Sequence, residues 1–345
     1  MKFEQIGLGA VVALSVGMVS AQLNSDFETP LNEFGQPDLS GVWNFASDTP
    51  MQRPDRWGTQ EFLTPEQLHE ELERQSAAAA AADARAAQLN TDPDLPKAGP
   101  QVLGYNDFWF ETKGLSENVR TSHIVYPLDG KVPAAVEGAQ VQRGNQINDT
   151  PDEIRPVLFT VGGIAKDGPE DRGLSERCIV GFNSGPPFVP SLYNNNVQIF
   201  QNKDTAVILT EMIHDARIVP ISDGPGLDDE IRMWSGDSRG RWDGSTLVVE
   251  TKNFNGYRQT FSSTGNNYDM VLTERFTRTA NDEVVYEFTI QDPSTFTDKI
   301  SVVVPMIKTS GQIYEYACHE GNYGMLNTLR GERVIERETA ESGGQ

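Results

Sequence analysis

A chain of 345 residues with a formal net charge of −22 can form one large domain or two small ones. Its acidity argues against nucleic acid and anionic membrane surfaces as partners, because both would repel it. Residues 1–21 have the pattern of a secretory signal peptide, in which Lys2 precedes a short apolar run and a cleavage site lies near Ala21. That run is too short to span a bilayer, so we expect a periplasmic or secreted protein without membrane insertion.

The first part of the mature chain predicts a strand, a helix and a long loop. Residues 39–45 are typical of a first strand, and the Gly-x-Trp within them resembles the motif of lipocalin-like barrels, where the Trp packs across one open end. A capping box at Thr64 and Gln67 predicts a surface helix over about 64–90. Residues from about 131 to 175 are rich in Gly, Pro and Asp, lack periodicity and predict a long loop.

The rest of the chain is dense in β signals. Strand-like segments separated by turn residues predict strands over residues 120–126, 194–200, 206–221, 246–254, 268–277, 283–291, 300–307 and 312–319. Residues 236–241 are interpreted as a polar turn, and Asp243-Gly244 as a hairpin turn. A long antiparallel meander tends to curl and remove its edges. We therefore predict a mainly β, lipocalin-like barrel or strongly curled sheet in a single domain over 22–338, with a disordered tail at 339–345.

The two cysteines of the chain are Cys178 and Cys318. In an oxidising compartment an isolated pair most simply forms a disulfide. The loop that it closes is long, so the chain-entropy model gives a stabilisation of roughly 4–5 kcal/mol. A catalytic thiol is the less favoured alternative, because the compartment favours oxidation.

Several neighbouring strands place one carboxylate in an otherwise apolar row of alternate residues. These carboxylates are Glu211, Glu250, Glu274 and Glu315. A buried carboxylate needs an Arg, His or metal partner. Two interpretations stay open: a polar pocket in which carboxylates and His act as acid and base, or Arg–Glu pairs that fix strand register or simply face outward.

The predicted site combines polar segments that are distant in sequence but that a meander could gather at one barrel mouth. The candidate catalytic residues are His214, His319, Glu211 and Glu320. The candidate substrate-binding residues are Tyr193, Asn195, Arg217, Arg239, Arg241 and Trp242. Histidine suits proton transfer near neutral pH, and arginine would hold an anionic group. On a strand Glu211 and His214 point to opposite faces, so at most one of them would reach the pocket.

No cofactor is predicted from the sequence. His214, His319 and a carboxylate could hold zinc or another divalent ion, but two histidines fall short of a full ligand set. The chain contains no Gly-x-Ser-x-Gly motif, which excludes an ordinary α/β-hydrolase. Ser238 lacks the sequence context of an esterase nucleophile.

Two long blocks resemble an uncharacterised family of secreted bacterial β-rich proteins. They are WSGDSRGRWDGSTLVVETKNF over 234–254 and EYACHEGNY over 315–323. Shorter matches extend the resemblance over nearly all of the mature chain. The resemblance implies a secreted, β-rich protein, but it implies no reaction.

Two functional hypotheses follow. The first is an extracytoplasmic enzyme of lyase, isomerase or hydrolase type, which applies His, Glu and Arg chemistry to a small organic or sugar-like substrate in a β-barrel pocket. The second is a lipocalin-like secreted protein that binds a small molecule without catalysis. Convergent Glu, His and Arg around an open cavity would favour the enzyme, and a dry aromatic pocket would favour binding.

Overall fold

The structure is a computed structural model, and it describes most but not all of the chain. The described residues are 27–91, 111, 119–139, 167–222, 224–262 and 264–343. The predicted signal peptide and most of the predicted 131–175 loop lie outside them. Within the described ranges, no helix is both long and apolar enough to cross a bilayer.

An antiparallel sheet of ten strands forms the body of the protein, which confirms the prediction of a mainly β fold. The strands are β1 (Gly41–Asn44), β2 (Ile124–Tyr126), β3 (Asn196–Gln201), β4 (Thr205–Thr210), β5 (Ala216–Pro220), β6 (Asp237–Asp243), β7 (Thr246–Lys252), β8 (Val271–Ala280), β9 (Glu283–Gln291) and β10 (Ile300–Thr309). Their order across the sheet is β5-β4-β3-β1-β10-β9-β8-β7-β6, with β2 also paired to β10. The strands from β6 to β10 thus form a simple meander, and β1 joins it to the strands from β3 to β5.

The two edge strands, β5 and β6, approach each other without forming a ladder. One parallel bridge links Ile221, just after β5, to Gly240 in β6. Glycine suits this close approach, because a Cβ at Gly240 would lie 3.0 Å from Cγ1 of Val219. The sheet therefore curls until its edges touch at one point, but it is not closed into a barrel, and the barrel prediction is not confirmed.

One apolar cluster fills the inside of the curled sheet, and strands from both edges contribute to it. Trp43 of β1 is fully buried there, and its Nε1 donates a hydrogen bond of 2.8 Å to the carbonyl of Leu39. The guanidinium of Arg278 lies 5.7 Å from the centre of the Trp43 ring. The core therefore runs through the whole sheet, and the functional site is built on loops that lie against it.

Three of the predicted β segments differ from the structure. The predicted strand over 206–221 is divided by a 3-10 turn at Met212–His214, where Ile213 and His214 have positive φ angles of 65° and 47°. The predicted polar turn over 236–241 is wrong, because residues 237–241 belong to β6, where the buried Ser238 and Gly240 alternate with Arg239 and Arg241. The predicted strand over 312–319 is also wrong, since this largely exposed segment forms no strand.

Helix α1 (Pro65–Thr91) confirms the predicted N-terminal helix, and Gln67 and Thr64 exchange the two hydrogen bonds of the capping box. A second helix, α2 (Tyr323–Gly343), was not predicted. It extends through residues 339–343, which the sequence assigned to a disordered tail. Its Glu, Arg, Leu and Ala residues favour helix without an apolar stripe, and pairs such as Arg333 with Glu336 support the exposed turns.

Candidate functional site

The disulfide forms as predicted between Cys178 and Cys318, across a separation of 140 residues. It joins the chain that follows β10 to the loop before β3, and this loop packs on the 3-10 turn after β4. Cys178, Met212 and Ile213 make a small buried cluster there, and Phe182, Tyr193, Tyr316 and Cys318 pack against it. We call this group, together with the flanking Glu211 and His214, the disulfide cluster. It contains three predicted site residues: Tyr193, Glu211 and His214.

Glu211 is the half-buried carboxyl group of the disulfide cluster. It accepts a hydrogen bond of 2.8 Å from Nδ2 of Asn196. Burial raises its pKa, and the charge of Glu111 adds to that rise. Nδ1 of the exposed His214 lies 3.2 Å from the carbonyl of Tyr316. Burial also raises the pKa of the Tyr193 hydroxyl, which is hydrogen-bonded to Tyr316.

The surroundings of the other predicted site residues differ from one to the next. Asn195 is buried, and its side-chain amide donates to the carbonyl of Ser191 and to Glu111. His319 and Glu320 are exposed just beyond the disulfide, and Arg241 is exposed on β6. On the same strand Arg239 pairs with Asp237 at 3.2 Å, and Trp242 packs against the main core. Three of the predicted residues thus meet at the disulfide cluster, and a joint site of all of them stays a prediction.

Of the four predicted carboxylate rows, the row of Glu274 on β8 is the one that faces the interior. Leu272, Glu274 and Phe276 are all fully buried, whereas Glu250 and Glu315 are exposed. The carboxylate of Glu274 pairs with both terminal nitrogens of Arg217 and accepts a hydrogen bond of 2.7 Å from the Tyr286 hydroxyl. Arg217 is therefore part of an internal Arg–Glu pair. Such pairs were the structural interpretation that the sequence left open.

A second buried polar group is His123, just before β2. Its Nδ1 lies 2.7 Å from the carbonyl of Val303, and its Nε2 lies 3.0 Å from the Ser47 hydroxyl. Burial lowers the pKa of His123 to about 4, so the ring is neutral at neutral pH. A neutral ring with a donor on Nδ1 and an acceptor on Nε2 satisfies both contacts. His123 therefore has a structural role.

The candidate site that the structure adds is a cavity of about 220 Å³ at one end of the main core. Four segments line it, and they include residues 51–52, 132, 182–189 and 258–270. Its apolar wall contains Met51, Val132, Phe182, Val189, Phe261 and Met270. Its polar lining consists of Gln52, Arg258, Gln259, Thr260, Ser262 and Asn267. None of the predicted site residues lines it.

Arg258 is the one charged side chain among the described lining residues of this cavity. It is only 7% exposed, and its Nη1 donates a hydrogen bond of 2.7 Å to the carbonyl of Gly185. Burial lowers its pKa to about 10, partly offset by the more distant charge of Asp215. The guanidinium therefore stays protonated at neutral pH, and in the described part of the chain no carboxylate forms an ion pair with it.

The side chain of Gln259 adds an amide oxygen that has no hydrogen-bond donor among the described residues. It is 8% exposed, and its Oε1 is buried with no hydrogen-bond donor among the described residues. A buried amide oxygen without a donor is unfavourable by about 1–3 kcal/mol. The cavity is thus lined by a cation with one backbone partner and by a residue whose amide oxygen has no donor among the described residues.

The loop that carries Arg258 is held firmly. The carboxylate of Asp292 accepts hydrogen bonds from the hydroxyls of Thr260 and Thr295. Gly265, at φ 78°, lies against the same group, where a Cβ would be 2.3 Å from Oγ1 of Thr295. The amide of Asn267 donates to the carbonyl of Arg258 at 2.8 Å. The position of Arg258 is therefore set by the fold before any ligand arrives.

The segment over 182–189, which also lines the cavity, is joined to the interior hydrogen-bond network. The amide of Phe188 donates a hydrogen bond of 3.1 Å to the Tyr286 hydroxyl, which in turn donates to Glu274. Gly185, whose carbonyl accepts from Arg258, has a φ of 66°, and a Cβ there would lie 2.6 Å from the Phe188 ring. The buried Arg217–Glu274 pair therefore supports the segment that contacts Arg258.

Sequence reasoning missed this cavity because its walls are loops without periodicity. The available signal was Tyr257-Arg258-Gln259-Thr260-Phe261, a single cation between aromatic residues. Among the described side chains, no group of three or more His, Cys, Asp or Glu residues could hold a metal ion. The chain matches no protein-family model, and a search of the curated proteins also finds no match.

Proposed function

We propose that the protein binds a small organic molecule in this cavity and does not transform it. The composition of the wall carries the proposal: apolar side chains and one cation, with neither histidine nor carboxylate among the described lining residues. Acid–base catalysis needs a general acid or base within hydrogen-bond reach of the substrate. A ligand in this cavity would meet Arg258, which remains charged at neutral pH and is suited to holding rather than to proton transfer.

The size of the cavity supports a compact ligand. An apolar cavity of about 150 Å³ accommodates benzene. A volume of about 220 Å³ therefore suits a molecule of roughly ten non-hydrogen atoms. A mostly apolar wall with a few polar groups is typical of small-molecule sites. The lipocalin-like alternative that the sequence left open is the closest description of this function.

The rigid walls support useful affinity for so small a ligand. Binding is weakened when loops or side chains must become ordered. Here the hydrogen bonds around Asp292 and Tyr286 hold both walls in place. The disulfide suits an oxidising compartment, so we place this binding outside the cytoplasm.

A titration with two matched probes tests the proposal. Phenylacetate and its neutral isostere phenylacetamide are added to the full protein, and binding is followed by calorimetry and ligand-observed NMR. We expect saturable one-to-one binding that Val132→Trp abolishes, because the larger side chain would fill the cavity. Val334→Trp, on the exposed face of α2, introduces the same ring away from the cavity and should leave binding unchanged.

Two results would overturn the proposal. One is that neither probe binds, and that octanoate and octanamide, which test a flexible ligand, do not bind either. The other is that binding persists undiminished in Val132→Trp while this variant remains folded by circular dichroism. Either result would place ligand binding elsewhere or remove it from the function.

Acid–base catalysis at the disulfide cluster is the second candidate function. The raised pKa of Glu211 favours it, because perturbed carboxyl groups are enriched at catalytic sites. Phe182 lines the cavity and stacks edge-on against Tyr193 at 5.2 Å, so the two groups are neighbours. Turnover of a bound ligand that Glu211→Gln abolishes, with binding retained, would favour this candidate over binding alone.

A further inference from the structure

We infer that the ligand of this cavity is an organic monoanion, held by a direct pair between its carboxylate and the Arg258 guanidinium. This inference rests on the proposed binding function and adds the class of ligand to it.

Three other buried arginines, Arg53, Arg217 and Arg278, are each supplied with several acceptors by the fold. Arg53 donates to Thr121 and to two backbone carbonyls, and Arg278 donates to three carbonyls and lies 3.6 Å from a carboxylate oxygen of Asp38. Arg217 has the bidentate Glu274. Arg258 has one carbonyl, that of Gly185, among the described residues. A guanidinium offers five donors, so most of its hydrogen-bonding capacity is unused.

A buried charge without an ion pair is unfavourable, and the charge of Asp215 offsets this penalty only in part. A bound anion would offset the rest. A carboxylate matches the planar guanidinium fork and accepts two parallel hydrogen bonds from it. Since Arg258 is the one cation of the described lining, it balances one negative charge. A dianion such as a phosphate monoester would keep an uncompensated charge in the cavity.

The rest of the wall defines the body of the ligand. Val132, Val189, Phe261 and Met270 surround apolar space. A fully polar anion would leave this surface unfilled, whereas an aliphatic or aryl group would bury against it. The amide of Gln259, next to Arg258 in sequence, offers one further polar contact. The cavity therefore fits a short-chain or aryl-substituted carboxylic acid.

The test compares each acid with its amide in the native protein and in two variants. For phenylacetate, affinity at neutral pH should exceed that for phenylacetamide by roughly tenfold to a hundredfold, the range of a buried charged hydrogen bond. Arg258→Met should reduce this ratio to about one without weakening phenylacetamide, because the apolar wall is unchanged. Arg258→Lys keeps the charge and should retain part of the preference.

Two controls complete the test. Inorganic phosphate and phenylphosphonate distinguish a general anion site from a carboxylate site, and both should bind more weakly than phenylacetate. Octanoate and octanamide repeat the comparison with a flexible body. Thermal denaturation of each variant checks that the fold is retained, so that a lost preference can be assigned to the guanidinium.

The outcomes separate the inference from the proposed function. If acid and amide bind equally, and Arg258→Met and Arg258→Lys change neither, the class of ligand is wrong although the cavity binds. If phosphate binds best, the site recognises inorganic anions and the carboxylate assignment is wrong. If no probe binds, the proposed function itself has failed.

Discussion

Two arginines of this protein are buried to the same degree and have opposite surroundings. Arg217 on β5 and Arg258 in the loop after β7 are each 7% exposed. Arg217 meets the carboxylate of Glu274 in a bidentate pair inside the curled sheet. Arg258 lies at the cavity, where the described residues supply one backbone carbonyl and no ion pair.

The comparison of the two arginines suggests how to distinguish a buried charge with a structural role from one with a functional role in this chain. A buried charge whose partners all come from the fold is explained by the fold. A buried charge that has few of them, in the wall of a cavity, is the kind of charge that a bound ligand would explain, as we propose for Arg258. The following variants test whether the two sites really differ in this way.

The largest loss of stability should come from removing one partner of the Arg217–Glu274 pair. Arg217→Met leaves the Glu274 carboxylate buried without its cation, so we expect a loss of about 3–5 kcal/mol in the free energy of unfolding. Chemical denaturation measures this loss. The double variant Arg217→Met with Glu274→Leu should recover most of it, since no buried charge then remains. A double variant as unstable as Arg217→Met would show that the pair itself is not the source of the stability.

A pH effect should come from His123, whose partners are also supplied by the fold. Its folded pKa is about 4 and its ordinary value is 6.5, so between these pH values the unfolded chain binds a proton that the folded chain does not. This contribution is complete above about pH 6.5 and is lost as the pH falls toward 4. Between pH 7 and 5 it amounts to about 2 kcal/mol.

Denaturation at both pH values should show that His123→Gln lowers this pH dependence by that amount. The control is His69→Gln on α1, where the histidine side chain is 74% exposed, and it should leave the dependence unchanged. Equal pH dependence in the native protein and in His123→Gln would mean that His123 is not buried in its neutral form.

A smaller loss of stability is expected at Tyr286, which joins the internal hydrogen-bond network to the segment that lines the cavity. Tyr286→Phe removes the hydroxyl that joins Glu274 to the Phe188 amide, so we expect a loss of about 1–2 kcal/mol in stability. Binding of phenylacetate should weaken as well, since the wall loses a support. Tyr126→Phe removes an exposed hydroxyl from Asp298 and should change stability by less than about 0.5 kcal/mol.

The smallest effect on stability should come from Arg258→Met, the counterpart of Arg217→Met. The substitution removes one hydrogen bond to Gly185 but also removes an unfavourable buried charge, so the two contributions largely offset each other. We expect a change within about 1 kcal/mol in the absence of ligand. A loss as large as that of Arg217→Met would indicate that Arg258 is a structural residue.

The sequence predicts the meander well, because its strands pair with their neighbours in sequence. The prediction for β9 matches at both ends, since turn residues delimit an alternating segment. The order of strands outside the meander could not be predicted, because the pairing of β1 with β10 and β3 joins distant segments. The split between β4 and β5 was missed because the left-handed Ile213 and His214 are not residues that usually mark a turn.

Site residues were predictable only where alternation identifies the buried face. Glu274 lies between Leu272 and Phe276, and that row is buried as expected. Alternation failed for Glu250, because both faces of β7 carry apolar residues and the strand can be placed either way. The disulfide is confirmed by the structure. The family resemblance remains a prediction, as does the signal peptide.

The central claim is that Arg258 is buried for a ligand, and the structure of the protein with phenylacetate tests it most directly. We expect the carboxylate oxygens of the bound phenylacetate to lie about 3 Å from the Arg258 guanidinium nitrogens, in two parallel hydrogen bonds. The phenyl ring should lie against Phe261 and Met270. A ligand whose carboxylate points to solvent, or whose ring covers Arg258 while the carboxylate pairs elsewhere, would contradict the account.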